Sequence, residues 1–168
     1  LQRLGDAWRD DGLHPAQEHL VTEMVRARLL RLLEANQPDG DAPTAVVATL
    51  RGQSHDMGAL LAAVMAACAG WSVRYLGASL PAEEIVWAAR SVNARAVLLS
   101  IVYPPDDPRV VVELTELRRG LGAEVPILMG GRAAPAYVTR FADTGVVLCR
   151  ELRGLRDVLD RMRTAAMS

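Results

Sequence analysis

The rhythm of apolar and polar positions changes once along this chain. Through about residue 35 the apolar residues fall at helical spacing, as in Leu20, Met24, Ala27, Leu30 and Leu33. A break at Asp11-Gly12 separates a short helix from a longer one. The stretch NQPDGDAP that follows is dense in turn formers. Together these predict a helical segment over residues 1–36, a linker over 37–43 and a second unit over 44–168. In that second unit short apolar runs alternate with helical patterns. They read TAVVATL, a helix from Gly58, WSVRYLG, a helix from Pro81, ARAVLLSIV, a helix around 108–121, VPILMGG, a helix around 135–142, VVLC, and a last helix from Glu151 to about Arg163. Strands that alternate with helices predict an α/β class with a five-stranded parallel sheet covered on both faces. The runs TAVVATL, AVLLSIV and VPILM are continuous rather than alternating, as strands buried on both sides require. Such a sheet takes the flavodoxin-like strand order 2-1-3-4-5, whose switch point between the first and third strands is where ligands sit, beyond the carboxyl ends.

Composition narrows the field without choosing within it. The 168 residues suit one compact domain with a small appendage, and 51% of them are hydrophobic. All 19 basic residues are arginine, but 20 acidic ones leave a net charge of -1, which argues against a basic nucleic-acid surface within this segment. No apolar run reaches membrane-spanning length and no signal-peptide pattern is present, so a cytoplasmic protein with no membrane partner is expected. Cys68 and Cys149 are too few for a zinc site or a disulfide framework and read as reduced packing residues.

The candidate chemistry lies at the predicted strand ends. The loop GQSHDMG after the first strand carries His55, one of three histidines, and closes on Gly58. An imidazole there can be a metal ligand, a general base, or a polar loop residue bonded to backbone. Gly58 lets the start of a helix approach a bulky ligand. Ser100 ends the third strand with Val102 two residues on, and Gly130-Gly131 end the fourth. A capping hydroxyl and an ordinary turn are the plain readings of those two features. The predicted topology nevertheless brings all three stretches to one crevice.

The set of His-x-x-Gly after the first strand, Ser-x-hydrophobic at the third and Gly-Gly at the fourth resembles the cobalamin-binding domains. Their usual motifs are Asp-x-His-x-x-Gly, Ser-x-Leu or Ser-x-Thr, and Gly-Gly. The resemblance covers about residues 44–168 and implies a cobalamin-binding, Rossmann-like fold. In it His55 would replace the cofactor's own benzimidazole as lower axial ligand of cobalt. Gly58, Ser100, Val102, Gly130 and Gly131 would line a channel for the freed nucleotide tail. Upstream, Trp8, then Glu18-His19, then LVTEMVRARLLRLL, is similar to the helical cap of the CarH-type photoreceptors, light-sensing regulators of the MerR class that bind adenosylcobalamin. That likeness makes residues 1–36 a partial helical-bundle cap, with Trp8, Glu18 and His19 forming the upper shell and the tryptophan and glutamate enclosing the adenosyl group.

Three positions depart from the family pattern. Gln53 stands where the family has an acid that orients the imidazole. Arg9 replaces a histidine that takes the upper cobalt position after light breaks the cobalt–carbon bond, leaving His14 or His19 as substitutes. Two helices stand where the family's cap has four. The expected function is therefore a light-sensing, adenosylcobalamin-binding module of a transcriptional regulator, with light altering cap packing and oligomerisation. Its expected partners are the tetrapyrrole and further copies of itself, as a homo-oligomer, and it would reach DNA only through a domain not present in this chain. No paired base and nucleophile lie on the crevice loops, so an enzyme is not expected. Two other readings compete. The pocket can be reused for a biliverdin-type bilin or haem, with Arg9 pairing a propionate and Cys149 either a thioether attachment point or a small buried hydrophobe. Or the chain is a corrinoid shuttle of a methyltransferase, against which Trp8 and Glu18-His19 argue by covering the approach.

Overall fold

Apolar residues at nearly every position of TAVVATL leave no face for solvent. In the structure, a computed structural model that describes residues 14–141 and 144–165, strand β1 (Thr44–Leu50) is buried from Ala45 onward. It lies at the centre of a parallel sheet with β2 (Ser72–Leu80), β3 (Ala96–Ser100), β4 (Ile127–Gly130) and β5 (Val146–Leu148), in the order β2-β1-β3-β4-β5. This is the expected flavodoxin-like order. Alternate residues feed two cores. Val46, Ala48, Val97, Leu99 and Met129 meet α3 (Ala82–Ser91), α4 (Pro108–Leu121) and α5 (Ala134–Val138). Ala45, Val47, Leu98 and Leu128 meet α1 (Pro15–Ala35), α2 (Met57–Cys68) and α6 (Leu152–Ala165). The period-two side-chain direction of a strand is what divides one continuous apolar run between two layers.

Several boundaries differ from the sequence pattern, each for a local reason. Strand β2 runs on to Leu80 instead of stopping at Gly77. Register shifts opposite Ala48 and Leu50 absorb the positive φ of Gly77 (90°) and Ser79 (59°), and Ser79 N–H donates to Thr49 Oγ1 at 2.9 Å. Helix α5 is shorter than 135–142 because the chain tightens into a 3-10 turn at Thr139–Phe141. The expected short helix before Asp11 lies outside the described residues.

The face that α1 buries also differs. Leu20 and Met24 are 62% and 61% exposed and Leu30 is exposed as well, whereas Leu29 and Leu33 are buried, with Val25 packed beside them. Both stripes are apolar and helically spaced. The one chosen is the one that meets the alanine-rich side of α2, at Ala59 and Ala63, where small side chains admit leucines from a neighbouring helix. At the opposite end Trp71 is fully buried and its indole N–H donates to the Leu159 carbonyl at 3.3 Å, tying α6 to the sheet. Trp71→Phe should cost about 2–3 kcal/mol by losing that bond and leaving a void, measured as a lower urea midpoint.

Candidate cofactor site

Parallel topology places the ends of β1, β3 and β4 at one edge of the sheet, and there a cavity of about 760 Å³ opens between α2, α6 and the strands. Gly58, Ser100, Val102, Gly130 and Gly131, the five residues predicted to form a channel, all line it. Its walls are mainly apolar, with Leu61 and Ala62 from α2, Leu98 and Leu128 from the sheet and Leu152 and Leu155 from α6, and Arg132, Arg150 and Glu151 also line it. Glycine lets the elements around it approach one another closely. A Cβ on Gly58 would stand 2.7 Å from Ser100 Oγ, and one on Gly130 3.2 Å from the Cys149 carbonyl oxygen. Gly131 has φ +98°, a conformation that other residues rarely adopt, and a Cβ there would collide with the Ile101 carbonyl. Ser100 Oγ is buried and has no hydrogen-bond partner among the described residues. A hydroxyl left without a partner in an apolar wall costs free energy unless something enters to bond it.

His55 lies on the loop between β1 and α2, exposed, and its imidazole makes no hydrogen bond to another described residue. Gln53 does not fill the orienting role expected of its position. Its side chain is buried and faces the loop after β3, where Oε1 accepts from Val102 N–H at 3.2 Å and Nε2 donates to the Tyr103 carbonyl at 2.7 Å. That pairing needs one acceptor and one donor, which an amide supplies and an ionised carboxylate cannot. The same loop is held from its other end by Tyr137, whose hydroxyl donates to the Pro104 carbonyl at 2.6 Å and accepts from Asp107 N–H at 2.9 Å.

The residue after His55 is the one that the sequence pattern left out. Asp56 is buried, and its carboxylate accepts two hydrogen bonds from the Arg26 guanidinium of α1, at 2.7 and 2.6 Å, and one from the Tyr75 hydroxyl of β2, at 2.6 Å. Its own carbonyl accepts from Leu60 N–H, opening α2. The bonded Arg26 guanidinium holds the Asp56 carboxyl below the usual carboxylate range, with Tyr75 adding to the effect, against the opposing pull of burial. Burial first, and then the bond to Asp56, push the Tyr75 phenol above its ordinary value. No spacing rule links residues 26, 56 and 75. An acid beside a candidate ligand histidine was the one signal available.

Glu18 and His19 are both exposed on the first turns of α1, while Trp8 and Arg9 lie outside the described residues. Cys149, one residue beyond β5, is buried on the cavity wall, and burial pushes its thiol up. An exposed low-pKa thiolate is what covalent attachment needs, so packing is the role this environment suits. Among the described residues no group of three or more His, Cys, Asp or Glu is placed to hold a metal ion by itself, and no helix is long and apolar enough to cross a membrane.

Residues 43–152 match the family described as B12 binding domain. This chain belongs to that family. It is 37% identical over 134 residues to the HTH-type transcriptional repressor CarH of Myxococcus xanthus, covering 80% of this chain and 44% of that protein. With the HTH-type transcriptional repressor CarA of the same organism it shares 28% identity over 153 residues, covering 91% of this chain and 53% of that one. The chain thus spans about half the length of these curated relatives. In fold it is similar to the Methanosarcina barkeri monomethylamine corrinoid protein, with a TM-score of 0.63 and 17% identity over 95% of this chain and 77% of that one. The cavity lies at the carboxyl ends of the strands, where open parallel sheets of this order take their ligands.

Two outcomes follow. Ser100→Ala should leave the ligand-free protein as stable as the wild type or up to about 1 kcal/mol more stable, because the hydroxyl has no partner to lose, as read by urea denaturation. Asp56, with its folded pKa below the ordinary value, stabilises the fold in full above about pH 4 and loses that contribution as pH falls through the depressed folded value. Asp56→Asn should therefore flatten the acid limb of a stability profile below about pH 4 while lowering stability at neutral pH.

Proposed function

We propose that this chain is the light-sensing, cofactor-holding module of a transcriptional regulator, and that it takes adenosylcobalamin between α1 and the sheet edge. One observation carries the reading: Ser100, whose buried hydroxyl has no hydrogen-bond partner among the described residues, lines the cavity together with Gly58, Gly130 and Gly131. In this reading His55 would be the residue that ligates cobalt. Ser100 bonds a polar atom of the displaced nucleotide tail, and the tail lies along the wall that Val102, Gly130 and Gly131 make. Glu18 and His19 on α1, together with Trp8, cover the upper face. When bound, the cofactor would supply a light-sensitive cobalt–carbon bond, and α1 with the loops at the sheet edge would hold it so that light alters α1 packing and self-association. The domain division at 37–43 serves this function, with the cap and the α/β unit as two jaws. Contact with DNA falls to a segment outside this chain, in line with its balanced charge and with the repressor relatives whose length it half covers.

The bilin and haem readings lose support from Cys149, whose buried thiol is poorly suited to a thioether. Absorption spectroscopy of purified protein incubated with adenosylcobalamin, haem or biliverdin separates the three. The expected result is a shifted alkylcobalamin spectrum retained through gel filtration, with affinity lost about a hundredfold or more in His55→Ala, and an elution volume that changes on illumination. Retention of cobalamin with no change on illumination would favour the shuttle, and retention of haem or bilin alone would sink the reading.

A further inference from the structure

The Arg26–Asp56 pair joins the helix that carries Glu18 and His19 to the loop that carries His55. The buried residues of α1, Leu29 and Leu33, both lie C-terminal to Arg26, and Leu20, Val21 and Met24 on its N-terminal side are exposed. Among the described residues, Arg26 and its neighbour Val25, which packs on the core, are thus the attachments of α1 nearest to the turns that bear the candidate upper-face groups. His19 stands seven residues earlier on the same helix face, about 11 Å away at the α-helical rise, with Glu18 beside it. On the other side of the joint, Asp56 is the neighbour of His55 and is held by Tyr75 and by the first bond of α2. A planar guanidinium bonded through two nitrogens to two carboxylate oxygens fixes both a distance and a rotation, which a point charge does not.

We infer that Arg26 and Asp56 are positioning residues that set the separation between α1 and the His55 loop, and so the room left for the upper ligand of the cofactor. This inference rests on the cobalamin reading above. Neither residue touches the cofactor in it; they act through the elements they join. The consequence is selectivity. Loosening the joint should relax discrimination by the size of the upper ligand, whereas loss of His55 should weaken every corrinoid alike.

The test is dark titration of the full chain, wild type, Arg26→Lys, Arg26→Gln and Asp56→Asn, with adenosylcobalamin and with methylcobalamin, followed by absorbance. Arg26→Lys keeps the charge and loses the bidentate geometry, so it guards against a variant that fails to fold. The expected result is a preference for adenosylcobalamin in the wild type that falls by about tenfold in Arg26→Lys and Arg26→Gln, while methylcobalamin affinity stays within about threefold. A preference unchanged within about twofold, or equal losses for both ligands, would overturn the inference. Amide hydrogen exchange of the ligand-free protein separates this from failure of the cobalamin reading. If the wild type binds neither corrinoid, that reading falls, and the joint is judged on exchange alone. Arg26→Gln should speed exchange in residues 53–57 and in α1 before Arg26 by about tenfold or more, and unchanged exchange would dispose of the joint as well.

Discussion

A cleft of about 760 Å³ opens at the carboxyl edge of the sheet, where three elements come as close as they do only because glycine stands at residues 58, 130 and 131. A Cβ at Gly58 would meet the Ser100 side chain, and at Gly130 and Gly131 it would meet the backbone of Cys149 and Ile101. Gly131 is additionally held in a conformation that a larger residue would strain. Beside it the parallel ladder sets the register of β3 and β4, where Ser100 pairs with Gly130.

Around the opening, the loops are fixed by groups matched to their partners. Gln53 bridges from the His55 loop to the loop after β3 through one donor and one acceptor. Tyr137 fixes the far end of the same loop. Asp56 gathers α1 and β2 at its carboxylate and opens α2 with its backbone carbonyl. The Asp56 carboxylate is buried while 28% of the Arg26 side chain stays exposed, so losing Arg26 strands a buried charge and losing Asp56 does not. His55 is left exposed on a loop braced on either side of it, an arrangement that leaves a ring nitrogen free while restricting where it can point.

The legible part of the site was the part written in glycine and at strand ends. Gly58, Ser100, Val102, Gly130 and Gly131 were placed together because apolar periodicity locates strand ends, and parallel topology then brings those ends to one edge. What was illegible depends on distant partners. Gln53 stood out only as a departure from the family's acid, yet its amide serves two backbone groups some fifty residues away, at Val102 and Tyr103. Arg26 and Asp56 carried no reading of their own. Of two apolar stripes on α1, only contact with α2 decided which was buried.

The chain's own order of residues determined that there would be a parallel sheet in the order β2-β1-β3-β4-β5, two covering layers and a ligand crevice at the switch point. Those features follow from local periodicity and from short-range backbone sterics, which act between near neighbours in sequence. Tertiary structure alone decided which face of α1 is inside, where the Gln53 amide points, and that Arg26, Asp56 and Tyr75 meet. Hydrogen bonds and ion pairs depend on distances of a few tenths of an ångström between groups far apart in the chain, and no pattern along a single strand of letters records such distances.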